Sequence, residues 1–212
     1  VAAVVLAMGV SEILAASITV NASTDVWVRE IGPDMTFEND GISVWYPGCQ
    51  TDQARKGAME FDISGVTEPI TSAYIRMYDV TTPGHSATFS QTTSLLSPNG
   101  IASLTWNGLS GYTETALESL GSYNLSGSTS NTWVNSAMAS AADVSALEAL
   151  RAGSSKTVTV LMTAGIGERD WNDVNHGYAP QLVLNGQVPE PSSIILLVTG
   201  LIGLVCYAWR KR

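Results

Sequence analysis

The chain has 212 residues, 45% hydrophobic and 14% charged, with 19 Asp and Glu against 10 Lys and Arg and a formal net charge of −9. That length suits one domain of ordinary size with a real core. Residues 17–187 carry 7 cations against 17 carboxylates, a field that repels phosphate backbones and excludes nucleic acid as a partner.

In chain order, Val1 to Gly9 is apolar and small, and Leu14-Ala15-Ala16 has the residues of a secretory cleavage region. With no initiator Met and no cationic start, residues 1–16 are expected to be part of a signal peptide removed after Ala16. The alternative is a hydrophobic first strand. Residues 17–187 then read as one β domain. Short alternating runs rich in β-branched and aromatic residues predict strands at Ile18–Val20, Asp25–Arg29, Ile42–Tyr46, Ala58–Ile63, Ala73–Tyr78, Ala87–Gln91, Val158–Thr163 and Gln181–Leu184. Turn clusters such as Gly32-Pro33-Asp34, Asn39-Asp40-Gly41 and Thr82-Pro83-Gly84 separate them. The spacing predicts an all-β sandwich.

One or two short helices interrupt it. Thr115 and Glu118 form a capping pattern for a helix ending at Gly121, and Ser145 and Glu148 do the same for Ala146–Arg151 before Gly153. Val144, Leu147 and Leu150 lie on one face, so the second helix is expected to dock on the sandwich. Ser122 to Ser130 reads as a polar loop. Cys206 falls in a C-terminal apolar run and Cys49 in a loop-like stretch, so no disulfide is expected within the domain. Cys49 is left as either a buried thiol or an exposed one able to pair between chains.

The candidate chemistry is recognition rather than catalysis. An aromatic face can stack on the C–H face of a pyranose while neighbouring amides and carboxylates bond its hydroxyls. Trp27 and Trp45 sit mid-strand and read as packing. Trp106 with Asn107, and Trp171 with Asn172, are loop-like, with Tyr112 and Tyr178 nearby in sequence. These six residues form the candidate glycan site, although a loop Trp can equally fold back as a plug. A structural calcium ion is the one cofactor the residues could hold, through the oxygens of Asp170, Asn172, Asp173 and Asn175 or of Glu38, Asn39 and Asp40; the spacing is not that of an EF-hand. His85 and His176 lack zinc-ligand spacing. No nucleophile elbow, zinc-protease helix or phosphate loop is present. Glu60 and Asp62 share a strand face beside Arg55-Lys56 and read as salt-bridged surface groups, so a non-enzyme is expected.

The C-terminal end carries the sharpest signal. Val188-Pro189-Glu190-Pro191 precedes the apolar run Ile194–Trp209 and the basic end Arg210-Lys211-Arg212. Sixteen residues make ~24 Å of helix, close to a ~30 Å hydrocarbon core once Ser192, Ser193 and a snorkelling Arg210 are added. The expectation is a single C-terminal transmembrane helix over 194–209, with Tyr207 and Trp209 at the interface and the cations inside. This arrangement over 188–212 resembles the PEP-CTERM sorting signal of Gram-negative, exopolysaccharide-making bacteria. The resemblance implies a temporary anchor cut near Pro-Glu-Pro by an exosortase-like membrane enzyme, and delivery to the cell envelope or extracellular surface.

A second resemblance spans the domain. Asp25-Val26-Trp27-Val28-Arg29, Ala58 to Ser64, Ile70 to Tyr78, Leu104-Thr105-Trp106-Asn107, Ala142-Asp143-Val144-Ser145, Gly167-Glu168-Arg169 and Ala179 to Val183 follow, in order, the pattern of the DNRLRE-type domain. That resemblance implies a jelly-roll-like β-sandwich, some of whose relatives are carbohydrate-binding modules and others surface proteins of unknown ligand. The usual Ser-Arg-Glu stretch is replaced here by Gly167-Glu168-Arg169-Asp170, followed by an inserted-looking Trp171 to Gly177. The expectation is a non-catalytic glycan-binding module of the envelope or exopolysaccharide matrix, or else a structural or adhesive surface protein with no glycan site.

Overall fold

The computed structural model describes residues 17–38, 41–45, 54–81, 88–127 and 129–185, all within one compact unit, Ala15–Gly186. The signal region 1–16, the sorting motif, the apolar run 194–209, the basic tail, Cys49, Cys206, His85 and the Asn39-Asp40 pair lie outside the described residues. Among the described residues no helix is long and apolar enough to cross a membrane.

Among the described residues eleven strands form: β1 (Ile18–Arg29), β2 (Ile42–Trp45), β3 (Arg55–Asp62), β4 (Ala73–Asp79), β5 (Thr88–Ser97), β6 (Thr113–Ala116), β7 (Tyr123–Ser126), β8 (Thr132–Asn135), β9 (Thr157–Ile166), β10 (Glu168–Trp171) and β11 (Gln181–Leu184). A 3-10 turn (Asn107–Gly111) precedes β6, and the helix α1 (Ala141–Ala152) precedes β9. All the pairings are antiparallel. β1 is shared between two layers. Its first part, Ile18–Asn21, pairs β11, and from Ala22 onward it pairs β3, with a register shift between Ala22 and Thr24 inside that second ladder. One layer continues from β11 to β4, with β8 on β4's other edge, and from Asp79 of β4 through β10 to β2; the other continues from β3 through β9 to β5, with β6 and β7 on β5, and β2 also meets β3 at Trp45 and Arg55. The result is the expected all-β sandwich.

The alternation in the strands explains the layers. On β4, Ala73, Ile75 and Met77 point into the core while Tyr74, Arg76 and Tyr78 are partly exposed on the other face. Across the interior they meet Met59 and Phe61 of β3, Phe89 of β5 and Val158, Val160 and Met162 of β9, with Trp171 and Leu182 from their own layer. The second layer is apolar on its outer side too. There Val26, Val28, Ala58, Leu96 and Leu161 are covered by Ile101, Leu104 and Leu109.

At one end of the second layer, Trp27 stacks on Phe37 with centroids 3.9 Å apart. The Arg55 guanidinium lies 4.7 Å over Trp27 and 3.4 Å over Trp45. Both Trp rings therefore pack, as their mid-strand positions predicted. Arg55 and Lys56 belong to β3 rather than to a turn. Glu60 accepts from the Gly100 N–H and the Thr159 hydroxyl, and Asp62 from the Ser64 N–H, so neither carboxylate is held by those two cations.

Two helix expectations change. Thr113–Ala116 is β6, paired to β5, and the helix expected from Thr115 does not form. The helix before Gly153 does form, but it begins five residues earlier than Ala146. Ser140 rather than Ser145 is its cap, in a reciprocal box with Asp143. Asp143 explains both changes: its carboxylate accepts the backbone N–H groups of Glu118, Ser119 and Leu120 at 2.8–2.9 Å as well as that of Ser140 at 3.1 Å. It caps α1 and satisfies the donors of the 118–120 turn together. Val144, Leu147 and Leu150 dock on the core as their spacing required. The polar stretch 122–130 contains β7, which pairs the start of β5.

Gly57 sits where Ile42, Val44 and Met162 crowd the backbone of β3. A Cβ there would strike a methyl of Ile42 and lie 2.7 Å from the Met162 methyl. Gly57→Ala is therefore expected to cost ~1–3 kcal/mol through overpacking, measured by denaturant unfolding. Burial alone would raise the Asp143 carboxyl, but the four backbone donors outweigh it and hold it at about 2. A carboxyl depressed in the folded state stabilises above its unfolded value and loses that contribution as pH falls through the folded one. Asp143→Asn should therefore cost ~2 kcal/mol at pH 7, and the difference from wild type should vanish as unfolding is measured from pH 4 down to 2.

Candidate functional site

The first half of the expected glycan site assembles. Trp106, Asn107 and Tyr112 flank the 3-10 turn on the lid of the second apolar cluster, where Trp106 and Tyr112 rest partly exposed against buried leucines. The turn forms because the Leu109 N–H reaches back to the Thr105 and Trp106 carbonyls and the Thr105 hydroxyl accepts from the Gly108 N–H at 2.9 Å. Tyr112 Oη donates to the Gly100 carbonyl at 2.8 Å. The Asn107 amide donates to Asp34 Oδ1 at 2.8 Å. Lys56 Nζ lies 5.6 Å over the Trp106 ring and 3.9 Å from Glu114. An aromatic surface edged by amide, carboxylate and ammonium groups is thus in place.

The second half does not assemble. Trp171 is 0% exposed, edge-on to Phe89 and tilted against Tyr123 with centroids 5.1 Å apart. It is a plug in the core, in the same buried cluster as Phe89 and Tyr123. Asn172 is also buried, its amide donating to the His176 carbonyl at 3.2 Å. Tyr178 instead reaches the outer face of the first layer, 47% exposed, stacked on Tyr78 at 4.2 Å and edge-on to Trp133. Tyr78 and Trp133 were missed by the sequence reading. The signal available was β4's alternation, which sends Tyr74, Arg76 and Tyr78 outward together.

The proposed calcium ligands are engaged elsewhere. Asp170 Oδ1 accepts from Ser43 Oγ at 2.6 Å and Trp45 Nε1 at 3.4 Å. Asp173 accepts the Gly41 and Asn175 N–H groups at 3.0 and 2.9 Å and contacts His176 Nδ1 at 2.6 Å. Among the described residues no group of three or more His, Cys, Asp or Glu is arranged to hold a metal. A cleft of about 370 Å³ between α1 and the β5 and β9 strands is lined mainly by Leu95, Leu96, Ala149, Leu150 and Thr159 and by no titratable side chain.

The loop after β10 packs on a buried acid of β1. Asp25 is buried and accepts the Val174 N–H at 2.8 Å. Burial pushes its carboxyl up to about 6, the Val174 bond pulls the other way, and the charge of Asp173 adds to the rise against an opposing influence from His176. Buried Asp173 is held below the usual range, since the Gly41, His176 and Asn175 contacts outweigh its burial.

The fold and surface define an all-β sandwich with partly exposed aromatic residues and a C-terminal sorting segment. Residues 187–212 match the family model of the PEP-CTERM protein-sorting motif. The chain thus carries the signal of a secreted bacterial surface protein, sorted by an exosortase-type enzyme to the cell envelope or extracellular surface. No curated protein matches the chain.

A carboxyl raised by folding gives its stabilisation below the unfolded value and loses it as pH rises through the folded one. Wild type should therefore lose up to ~3 kcal/mol between pH 4 and pH 7 from Asp25. In Asp25→Asn that part of the slope should flatten, and thermal unfolding at pH 8 should show a variant more stable than wild type.

Proposed function

We propose that this protein is a non-catalytic glycan-binding component of a Gram-negative envelope or exopolysaccharide matrix, built on a DNRLRE-type, jelly-roll-like sandwich. A single C-terminal span over 194–209 holds it until the exosortase-like enzyme cuts near Val188-Pro189-Glu190-Pro191. One observation carries the binding reading: Trp106, Asn107 and Tyr112, chosen from sequence, come together at the surface with Asp34 and Lys56 around them. Ring stacking on Trp106 with hydroxyls on the neighbouring amide and carboxylate is the chemistry a pyranose requires. Burial of Trp171 favours the competing reading, a structural or adhesive surface protein, because it removes half of the expected platform.

Two measurements separate these readings. Intact mass of the protein recovered from its native surface should end near Pro189 to Pro191; a mass retaining Arg212 would make it a permanently anchored protein. On a glycan array, the full chain should bind at least one glycan and Trp106→Ala should weaken that binding about tenfold. An array with no signal would favour the structural reading.

A further inference from the structure

The outer face of the first layer has a regular arrangement that the loop around Trp106 lacks. Register places Asn21 opposite Gln181, Gln181 opposite Arg76, and Arg76 opposite Asn135. Residues directly opposite share a sheet face. A single row of amide and guanidinium groups therefore crosses four adjacent strands, spanning ~14 Å at the usual ~4.8 Å strand spacing. The Gln181 amide already donates to Asn21 Oδ1 at 3.2 Å. Asn21 and Asn135 are exposed, and Gln181 and Arg76 partly so.

Two residues along the strands runs an aromatic row. Tyr78 is opposite Trp133, and their rings meet edge-on at 5.5 Å. Tyr178 lies on Tyr78, and Arg76 sits 4.5 Å over the Trp133 ring, tying one row to the other. Among the described residues the Arg76 guanidinium makes no ion pair or hydrogen bond, so its planar fork of donors is open to a ligand.

We propose that this face is a second carbohydrate site, which binds an extended neutral polysaccharide chain laid across β1, β11, β4 and β8. The inference rests on the glycan-binding reading above but uses none of the residues near Trp106. Pyranose rings stack on Trp133 and Tyr178 through their C–H faces, and vicinal hydroxyls bridge Arg76, Gln181 and the two asparagines, each of which offers donors and acceptors in the sheet's own repeat. Neutral chains are favoured because the protein is strongly acidic and the row holds one cation, already drawn to an aromatic ring.

The test is affinity gel electrophoresis of the detergent-solubilised full chain through mixed-linkage β-glucan, xylan and galactomannan, with polygalacturonate as the anionic comparator. At least one neutral polysaccharide should retard the protein. Trp133→Ala and Tyr178→Ala should each weaken that retardation about tenfold, and Arg76→Gln should also weaken it, while Trp106→Ala retains the part due to this face. Tyr178 and Asn135 are exposed, so Tyr178→Ala and Asn135→Ala test the face without disturbing the core. Loss of binding in Trp106→Ala with the face variants unchanged would overturn this inference and leave the proposed function standing. Retardation by none of the neutral polysaccharides would overturn both. Self-association of the wild type in sedimentation velocity, abolished by the face variants with no change in sugar binding, would make the face an interface between copies and would also overturn it.

Discussion

The buried ion pair between Arg169 and Asp79 is the constraint on which the two faces of the first layer depend. The guanidinium is 3.5 Å from a carboxylate that is fully buried, and both groups are satisfied further: Arg169 donates to the Gly127 carbonyl at 2.8 Å, and Asp79 accepts the Thr81 N–H at 2.9 Å and bonds the Thr129 hydroxyl. β10 meets β4 at one register pair, Trp171 with Asp79. So short a ladder fixes little by itself, whereas a buried charge deprived of its partner costs ~3–5 kcal/mol. Together with the four-residue ladder of β10 to β2, the pair holds β10 where Trp171 faces inward and the chain after it turns back toward Tyr78.

That turn separates two chemistries that the sequence places side by side. Asp173 and Asp25 hold the loop through backbone N–H groups of Gly41, Asn175 and Val174. Beyond it, Tyr178 emerges against Tyr78 on the outer face. Core plug and surface aromatic thus lie seven positions apart on one short segment, and Asp173 between them, with Asp25 of β1, holds backbone N–H groups.

Alternation made most of the fold legible in the sequence. β3, β4, β9 and β11 lie close to their predicted positions because each is a run rich in apolar and β-branched residues, and β4 alternates strictly. The two runs within Ile18–Arg29 were legible as strands but not as one strand, since the change of partner after Asn21 and the register shift at Ala22–Thr24 depend on distant pairing. β6, β7, β8 and β10 are four residues each, too short for a period to show. Local capping patterns misled twice because Asp143 reaches donors 23–25 positions away, which no window of sequence displays. At the surface, Trp106, Asn107 and Tyr112 were found because they are neighbours in sequence. The row from Asn21 to Asn135 was hidden because its members come from four separate strands and meet only through register.

The sharing of β1 between the layers has a mechanical consequence. Tension entering through Asn185 reaches β11, which is bonded to β1 on one side and β4 on the other. A pull along that strand loads both ladders in shear at once instead of peeling bonds singly. Because β1 continues into the opposite layer against β3, the load passes into both halves of the sandwich. A protein retained at a surface by its C-terminal segment would therefore resist extension as one body, with the outer face of its first layer carrying the same load as its core.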